Sequence, residues 1–270
     1  MKKIIKTTIV LCLSISLIAS TGVFSFAEGQ VIDPIMLANI DITTLSDNQI
    51  ELIKDEIATM NNSEFDQYAV NLVQSASNKE ILLNNLAEVD VYIDYKDIAP
   101  SIQRGVSVGN STMTVYSMKR SSESFYRLFA ITQLNTKETR PGSEDVVAIY
   151  FNSNLATYYG TSTVGDYTNL KDSSKRNSGT VVFNFDDKLA GTNAGSSIVY
   201  VIPKTGTSGK TFEYAAKWVH TYTKTDISGT FNAGISYGGN SGITGSIGVE
   251  VTVSSSESTW QRTEDNATYF

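Results

Sequence analysis

Two patterns of apolar and polar positions divide the chain near residue 100. In the first part, apolar residues recur every three to four positions, which is the spacing of an amphipathic helix. Capping-box sequences at residues 46–49 and 77–80 place a serine three residues before Gln49 and Glu80. We therefore predict three short helices between about residues 47 and 89. Their apolar stripes are Ile50, Ile53, Ile57 and Met60, then Phe65, Tyr68, Ala69, Leu72, Val73 and Ala76, then Ile81, Leu82, Leu86 and Val89.

Beyond residue 102 the period changes to two, and Ser, Thr, Gly, Tyr and Val dominate. Short alternating runs separated by turn sequences are typical of antiparallel strands. Pro100 marks the boundary, because the residue before a proline avoids helical geometry. The sequence predicts a mainly β fold, with an antiparallel β-sandwich or open barrel at residues 101–270 behind a small helical segment at residues 28–100. The predicted strands span residues 113–118, 125–132, 146–151, 157–163, 181–185 and 198–202.

The alternation is most regular toward the C-terminus. Aromatic and apolar residues occupy every second position from Phe212 to Tyr222, which predicts one long strand. Two further alternating runs flank the glycine-rich residues 238–242. Together they predict an amphipathic hairpin at residues 225–256, with Ile, Phe, Tyr and Val on one face and mostly Ser, Thr and Asn on the other.

The N-terminus has the three parts of a cleavable secretory signal at residues 1–27. Three lysines precede an apolar run over residues 8–19, which is too short for a membrane span, and small side chains end it at residues 25–27. We expect a secreted protein that begins near Glu28. Removing the signal takes away the single cysteine, Cys12, and leaves 18 basic against 28 acidic residues, a net charge of −10. Thiol chemistry is then excluded, and nucleic acid is not an expected partner.

Residues suited to catalysis are few. His220 is the single histidine of the chain, so a site built from two histidines, or from histidine and cysteine, is excluded. Its place on the aromatic side of a predicted strand suits either a general base or a packed core side chain. Residues 203–211 end in Gly-Lys-Thr like a phosphate-binding loop. However, Lys204 stands where the first glycine belongs and a strand pattern follows, so we interpret the segment as a turn and predict no cofactor.

Carboxylates occur in adjacent pairs at residues 144–145, 186–187 and 264–265. Neighbours on a strand point to opposite faces, so such a pair cannot flank one bond unless a turn redirects it. A secreted hydrolase with carboxylates assembled by the fold stays an alternative, and its catalytic residues are unknown. Loop acids also suit calcium, but no Asp-x-Asp-x-Asp-Gly pattern occurs, so the sequence predicts no metal site.

Aromatic side chains supply the candidate binding residues, because Tyr and Trp stack on sugar rings and anchor protein interfaces. The same residue types fill the core of a β-sandwich, and the sequence leaves both interpretations open. The leading hypothesis is a secreted, non-enzymatic β-sandwich protein that binds an unknown extracellular ligand, surface or glycan. The candidate binding residues are Tyr158, Tyr159, Trp218, His220, Tyr222 and Trp260.

Two resemblances accompany these patterns. The hairpin at residues 225–256 resembles that of β-pore-forming toxins such as the aerolysin-like group, because each arm is long enough for a tilted strand to cross a bilayer. This implies a membrane-active protein as an alternative, although a half-buried sheet alternates in the same way. Residues 141–145 and 218–222 resemble stretches of uncharacterised secreted proteins of Gram-positive bacteria. That resemblance implies a compartment and a layout, in which residues 28–100 could be a removable pro-segment.

Overall fold

A computed structural model describes residues 33–95, 110–142, 144–223, 234–237, 249–252 and 256–270. The predicted signal at residues 1–27 lies outside these ranges. Four helices precede the sheets: α1 (Pro34–Asn39), α2 (Asp47–Thr59), α3 (Asn62–Ser75) and α4 (Lys79–Glu88), with a 3-10 turn at Ile42–Thr44. No helix among the described residues is both long and apolar enough to cross a membrane.

Of the two capping boxes that the sequence predicts, one is present in the structure and one is not. Gln49 Oε1 accepts from the backbone N–H of Ser46 at 2.9 Å, which confirms the capping box of α2. The predicted cap at Ser77 is wrong, because α4 begins one residue later. Asn78 Oδ1 caps it by accepting from the amides of Glu80 and Ile81 at 2.9 and 3.2 Å. Asparagine caps as well as serine does, so the motif alone could not fix the register.

Helix α1 was not predicted. Ser77 does not cap α4 but hydrogen-bonds to Asn39, the last residue of α1. Asn39 Oδ1 accepts from both the backbone N–H and the hydroxyl of Ser77 at 2.9 and 2.5 Å. Asn39 Nδ2 donates to the carbonyl of Ser75 at 2.9 Å. One amide side chain therefore ties α1 to the turn between α3 and α4.

Two five-stranded antiparallel sheets form the β-sandwich, and the predicted fold class is confirmed. The first sheet has the strand order β1-β2-β3-β8-β5 and the second β12-β9-β4-β7-β6. Every predicted strand is present, whereas β1, β6 and β12 were not predicted. The strands are β1 (Val91–Tyr95), β2 (Ser111–Arg120), β3 (Tyr126–Leu134), β4 (Asp145–Phe151), β5 (Ala156–Val164), β6 (Thr168–Asp172), β7 (Thr180–Phe185), β8 (Gly195–Pro203), β9 (Thr211–Thr223), β10 (Gly234–Tyr237), β11 (Val249–Thr252) and β12 (Glu257–Tyr269).

The core lies between the two sheets and is rich in aromatic rings. Trp218 is fully buried and meets Phe185 and Trp260 edge to face, at ring-centre distances of 5.6 and 4.9 Å. Such edge-to-face pairs add about 0.5–1.5 kcal/mol each to the gain from burial. A short helix, α5 (Asp187–Ala190), follows β7 at one end of this core.

A buried charged network joins α3 to the first sheet. We call it the arginine junction and define it as Asp66, Arg120, Glu123, Arg127 and Tyr200. The guanidinium of Arg127 donates to Asp66 Oδ1 at 2.7 Å and to Glu123 Oε1 at 2.8 Å. Arg120 donates to the carbonyls of Ile57 and Met60 at 2.9 and 2.6 Å, which satisfies the end of α2.

The turn predicted at residues 203–211 lies between β8 and β9. Gly206 and Gly209 have φ values of 78° and 74°, which side chains rarely adopt. Lys204 Nζ donates to the carbonyl of Ser153 at 2.7 Å. The glycines of this motif therefore serve a turn, as interpreted from the sequence.

The predicted hairpin at residues 225–256 is described only in part. Strands β10 and β11 pair antiparallel, with Ile235 opposite Val251 and Tyr237 opposite Val249, which confirms the pairing of the two arms. Residues 224–233, 238–248 and 253–255 lie outside the described ranges. The membrane-active alternative therefore stays a prediction.

Candidate functional site

Strand pairing brings together acids from two separate adjacent pairs. Strand β4 begins at Asp145, opposite Phe185 of β7, and its next residue, Val146, pairs with Val219 of β9. Asp145 therefore lies beside His220, while Asp187 comes two residues after Phe185. Gly142 fixes the approach of this segment to β9, because a Cβ there would lie 2.5 Å from the hydroxyl of Thr221.

We define the acid–histidine cluster as Glu138, Asp145, Asp187 and His220. Asp145 is 1% exposed, and both of its carboxylate oxygens accept hydrogen bonds. Its Oδ1 accepts from the backbone N–H of Thr221 at 2.9 Å, and its Oδ2 accepts from Trp218 Nε1 at 3.0 Å. The same Oδ2 lies 2.7 Å from His220 Nδ1. Three contacts thus orient this carboxylate toward the imidazole.

Two further carboxylates lie near the imidazole, one at each ring nitrogen. His220 Nε2 lies 3.3 Å from Glu138 Oε2, and its Nδ1 lies 3.9 Å from Asp187 Oδ2. The side chain of Asp187 is 8% exposed, and its Oδ2 has no hydrogen-bond partner among the described residues. One imidazole therefore meets three carboxylates, and one oxygen of Asp187 receives no hydrogen bond from the described part of the chain.

These surroundings shift two pKa values. Burial alone would lower the pKa of His220, but the negative charges of Asp145 and Asp187 and the hydrogen bonds to Asp145 and Glu138 outweigh it and raise the pKa to about 9. Burial raises the pKa of Asp187 to about 7, and repulsion by Asp145 adds to that effect while His220 opposes it. Near neutral pH the cluster therefore retains protons that the same groups would release in water.

Aromatic rings enclose the cluster. The imidazole of His220 lies 4.7 Å from the ring of Trp260, and 6.2 Å each from those of Trp218 and Tyr222. Trp218, His220 and Trp260 are 0, 1 and 5% exposed. Four of the six predicted binding residues thus come together, but three of them are core side chains, because β9 and β12 turn these rings inward. None of these three presents a ring face to a ligand in solution.

The remaining two candidates lie apart on β5. Tyr159 is 57% exposed, and its ring lies 5.3 Å from that of Phe125. Tyr158 is half-buried, and the guanidinium of Arg176 lies 5.8 Å from its ring centre. These tyrosines occupy the edge strand of the first sheet, a surface distinct from the buried cluster.

Sequence reasoning missed Asp145 and Asp187 as partners of His220. It treated residues 144–145 and 186–187 as separate pairs, whereas the fold selects one acid from each. The available signal was that both pairs sit at the ends of predicted strands; in the sheet, β4 lies between β7 and β9 and so brings these ends to the histidine. Asp145, Asp187 and His220 form a group that could hold a metal ion, a ligand set of one imidazole and two carboxylates that the sequence analysis did not consider.

No family model matches this chain, and no curated protein matches it. Solved structures with similarity include the cohesin module of a family 33 glycoside hydrolase from Clostridium perfringens. It is 11% identical, with a TM-score of 0.29 over 41% of this chain and 81% of that chain.

Two further similar structures come from bacterial surface proteins. The collagen-binding subdomain of the Enterococcus faecalis surface protein ACE is 12% identical, with a TM-score of 0.25 over 53% of this chain and 88% of that chain. A structure concerning Streptococcus parasanguinis adhesion by Fap1 fimbriae is 9% identical, with a TM-score of 0.29 over 58% of this chain and 79% of that chain. At these scores the β-sandwich assignment rests on the sheet topology of this chain itself, and the similarities assign no activity.

Proposed function

We propose that this protein is a secreted, non-enzymatic β-sandwich that binds an extracellular ligand. The observation that carries the proposal is the burial of the sole imidazole. His220 is 1% exposed and enclosed by carboxylates and aromatic rings, so it has no path to a substrate. The fold does assemble carboxylates, as the hydrolase alternative requires. Asp145 and Asp187 are buried with the imidazole, however, and face it instead of an open cleft.

A cleft of about 200 Å³ in the described part of the chain gives the hydrolase alternative little support. It lies between α2 and the β2–β3 turn and is lined by Glu51, Lys54, Asp55 and Asp90, among others. Lys54 Nζ lies 3.1 Å from Glu51 and 3.8 Å from Asp90, so a cation already occupies the space between two of these acids. A glycosidase needs its acid and its second carboxylate free to flank a bond.

The β5 edge is the surface that we propose for binding. Among the strands that the structure describes, β5 pairs with β8 alone, and residues 157–163 are all exposed or half-exposed. Tyr159 presents an open ring, and threonine and serine hydroxyls surround it along the strand. A flat aromatic ring beside hydroxyl groups suits a glycan, because the ring stacks on the apolar face of a sugar while hydroxyls exchange hydrogen bonds.

A glycan array with the purified protein tests this proposal, and Tyr92 supplies a matched control. Tyr92 is 59% exposed on β1, at the opposite edge of the same sheet. We expect Tyr159→Ser to weaken binding of any glycan that the protein retains by about tenfold, or ~1.4 kcal/mol, while Tyr92→Ser leaves it unchanged. Equal binding by the two variants, or an array without a bound glycan, would contradict a glycan site at β5.

A further inference from the structure

We propose that Asp145, Asp187 and His220 form a binding site for a divalent cation of the zinc class. Their donor atoms lie within 4.8 Å of one another, close enough to surround a single ion. The site is buried at one end of the sandwich, and three elements supply it: β4, the start of α5, and β9.

Asp187 is the observation that points to a ligand. Its side chain is 8% exposed, and its Oδ2 has no hydrogen-bond partner among the described residues, although it lies 3.9 Å from His220 Nδ1. A buried carboxylate oxygen without a hydrogen bond is costly, since burial removes the water that would otherwise bind it and a charge 3.9 Å away compensates only in part. Its unpaired oxygen faces the two other donor atoms, so the missing partner belongs in the space among all three.

The distance between His220 and Asp145 requires a proton or a cation between their facing atoms. The lone pairs of His220 Nδ1 and Asp145 Oδ2 would repel each other at 2.7 Å unless a proton or a cation lies between them. A proton on Nδ1 satisfies Asp145 and leaves Asp187 unpaired. A divalent cation satisfies all three donors at once, and it offsets more of the negative charge than a single proton does.

Glu138 completes the arrangement from outside. Its Oε2 lies 3.3 Å from His220 Nε2, the ring nitrogen that faces away from Asp145. When Nε2–H donates to this carboxylate, the proton stays on Nε2 and the lone pair of Nδ1 faces the proposed ion. Histidine ligands in metal sites are oriented in this way by a second carboxylate, which also makes the ring a stronger donor.

The donor set selects the class of cation. One imidazole nitrogen and two carboxylate oxygens suit Zn²⁺ and similar transition metals. Calcium and magnesium prefer oxygen donors alone and usually take six or more of them. We therefore expect Zn²⁺ to bind more tightly than Ca²⁺ or Mg²⁺.

Calorimetric titration of the chelator-treated full chain with ZnCl₂ tests the site. We expect one equivalent of Zn²⁺ to bind and to raise the unfolding temperature, and CaCl₂ to bind at least about tenfold more weakly. Asp187→Asn should weaken Zn²⁺ binding by about 100-fold or more, since it removes one ligand charge from the site. Asp166→Asn, which changes an exposed acid in the turn before β6, should leave binding unchanged.

Measurements on the wild-type chain test the site even if the variants fail to fold. Co²⁺ in place of Zn²⁺ should give visible absorption bands that one equivalent of Zn²⁺ abolishes, and binding beside Trp218 and Trp260 should change tryptophan fluorescence. The proposal is overturned if the wild-type chain binds no Zn²⁺ above the background of its surface acids. It is also overturned if Asp187→Asn and Asp166→Asn bind alike, because the ion would then lie elsewhere.

Discussion

This molecule contains two buried charged clusters, and they differ in charge balance. In the arginine junction, two guanidinium groups face two carboxylates, Asp66 and Glu123. In the acid–histidine cluster, one imidazole faces three carboxylates. The first cluster is neutral with its groups in their ordinary charge states. The second carries excess negative charge unless protons or a cation join it.

The surroundings of the arginine junction suit a permanent ion pair. The guanidinium of Arg127 lies 4.6 and 4.7 Å from the ring centres of Phe65 and Phe125, and 5.4 Å from that of Tyr200. Aromatic faces attract a delocalised cation, and Tyr200 also donates its hydroxyl hydrogen to Asp66. Burial would raise the pKa of Glu123, but the two arginines outweigh it and lower that pKa.

The two clusters therefore differ in role: the arginine junction is structural, whereas the acid–histidine cluster responds to pH and to cations. Paired charges at the junction hold α3 on the sheet under ordinary conditions, since each partner is already satisfied. Asp187 in the other cluster is unsatisfied and changes its protonation near neutral pH. A buried cluster with excess negative charge can therefore bind protons or cations, whereas a cluster whose charges are balanced has no such tendency.

The largest expected effect comes from breaking the junction. Arg127→Met leaves Asp66 buried without its cation and takes one of two arginines from Glu123, so we expect the free energy of unfolding to fall by about 3–5 kcal/mol. Urea unfolding followed by fluorescence measures the loss. Arg176→Met, at an exposed site, should change stability by less than about 0.5 kcal/mol. A loss below ~1 kcal/mol for Arg127→Met would show that the junction adds little to stability.

The next effect is opposite pH dependence of the two clusters in chelator-treated protein. The pKa of His220 is raised to about 9, so its contribution is full below pH 6.5 and is lost as pH rises through 9. The pKa of Asp187 is raised to about 7, so stability also falls as pH rises from 3.8 to 7. The pKa of Glu123 is lowered, so its contribution is present above pH 4.5 and is lost in acid.

Stability should therefore be highest in mildly acidic solution and fall by on the order of 2–4 kcal/mol toward pH 9. Urea unfolding across pH 4–9 measures the curve. His220→Gln should flatten its alkaline side, although Asp145, Asp187 and Glu138 still repel one another there. Unchanged pH dependence in His220→Gln would mean that the acid–histidine cluster does not titrate as its geometry indicates.

The smallest expected effect comes from an Asp→Asn substitution, which can be made in both clusters. In metal-free protein at pH 8, Asp187→Asn removes an unpaired buried charge, and we expect stability to rise by about 0.5–1 kcal/mol. Asp66→Asn removes a paired charge, and stability should fall. Thermal unfolding of both variants gives the two signs. A loss of stability in both variants would mean that the charge of Asp187 is stabilising, as that of Asp66 is, and would contradict the difference between the clusters.

The sequence predicted most of the helices and strands because their apolar residues repeat with the period of the element. Strand β12 escaped detection because its buried side includes polar side chains. Arg262 donates to the carbonyl of Ser111 at 2.6 Å, and Asn266 to those of Asp94 and Val115 at 3.0 and 3.3 Å. A polar residue satisfied by a distant backbone looks, in sequence, like a solvent-exposed one.

The sequence alone determined the fold class, the aromatic strand and the single histidine available for chemistry. Only the tertiary structure decided that Trp218, His220 and Trp260 are buried, that Asp66 meets Arg127, and that Asp145 and Asp187 meet His220. Local periodicity depends on neighbours within a few residues, so it can be counted along the chain. The partner of a buried charge lies 61 residues away in Asp66–Arg127 and 75 in Asp145–His220, and strand order and helix docking choose it.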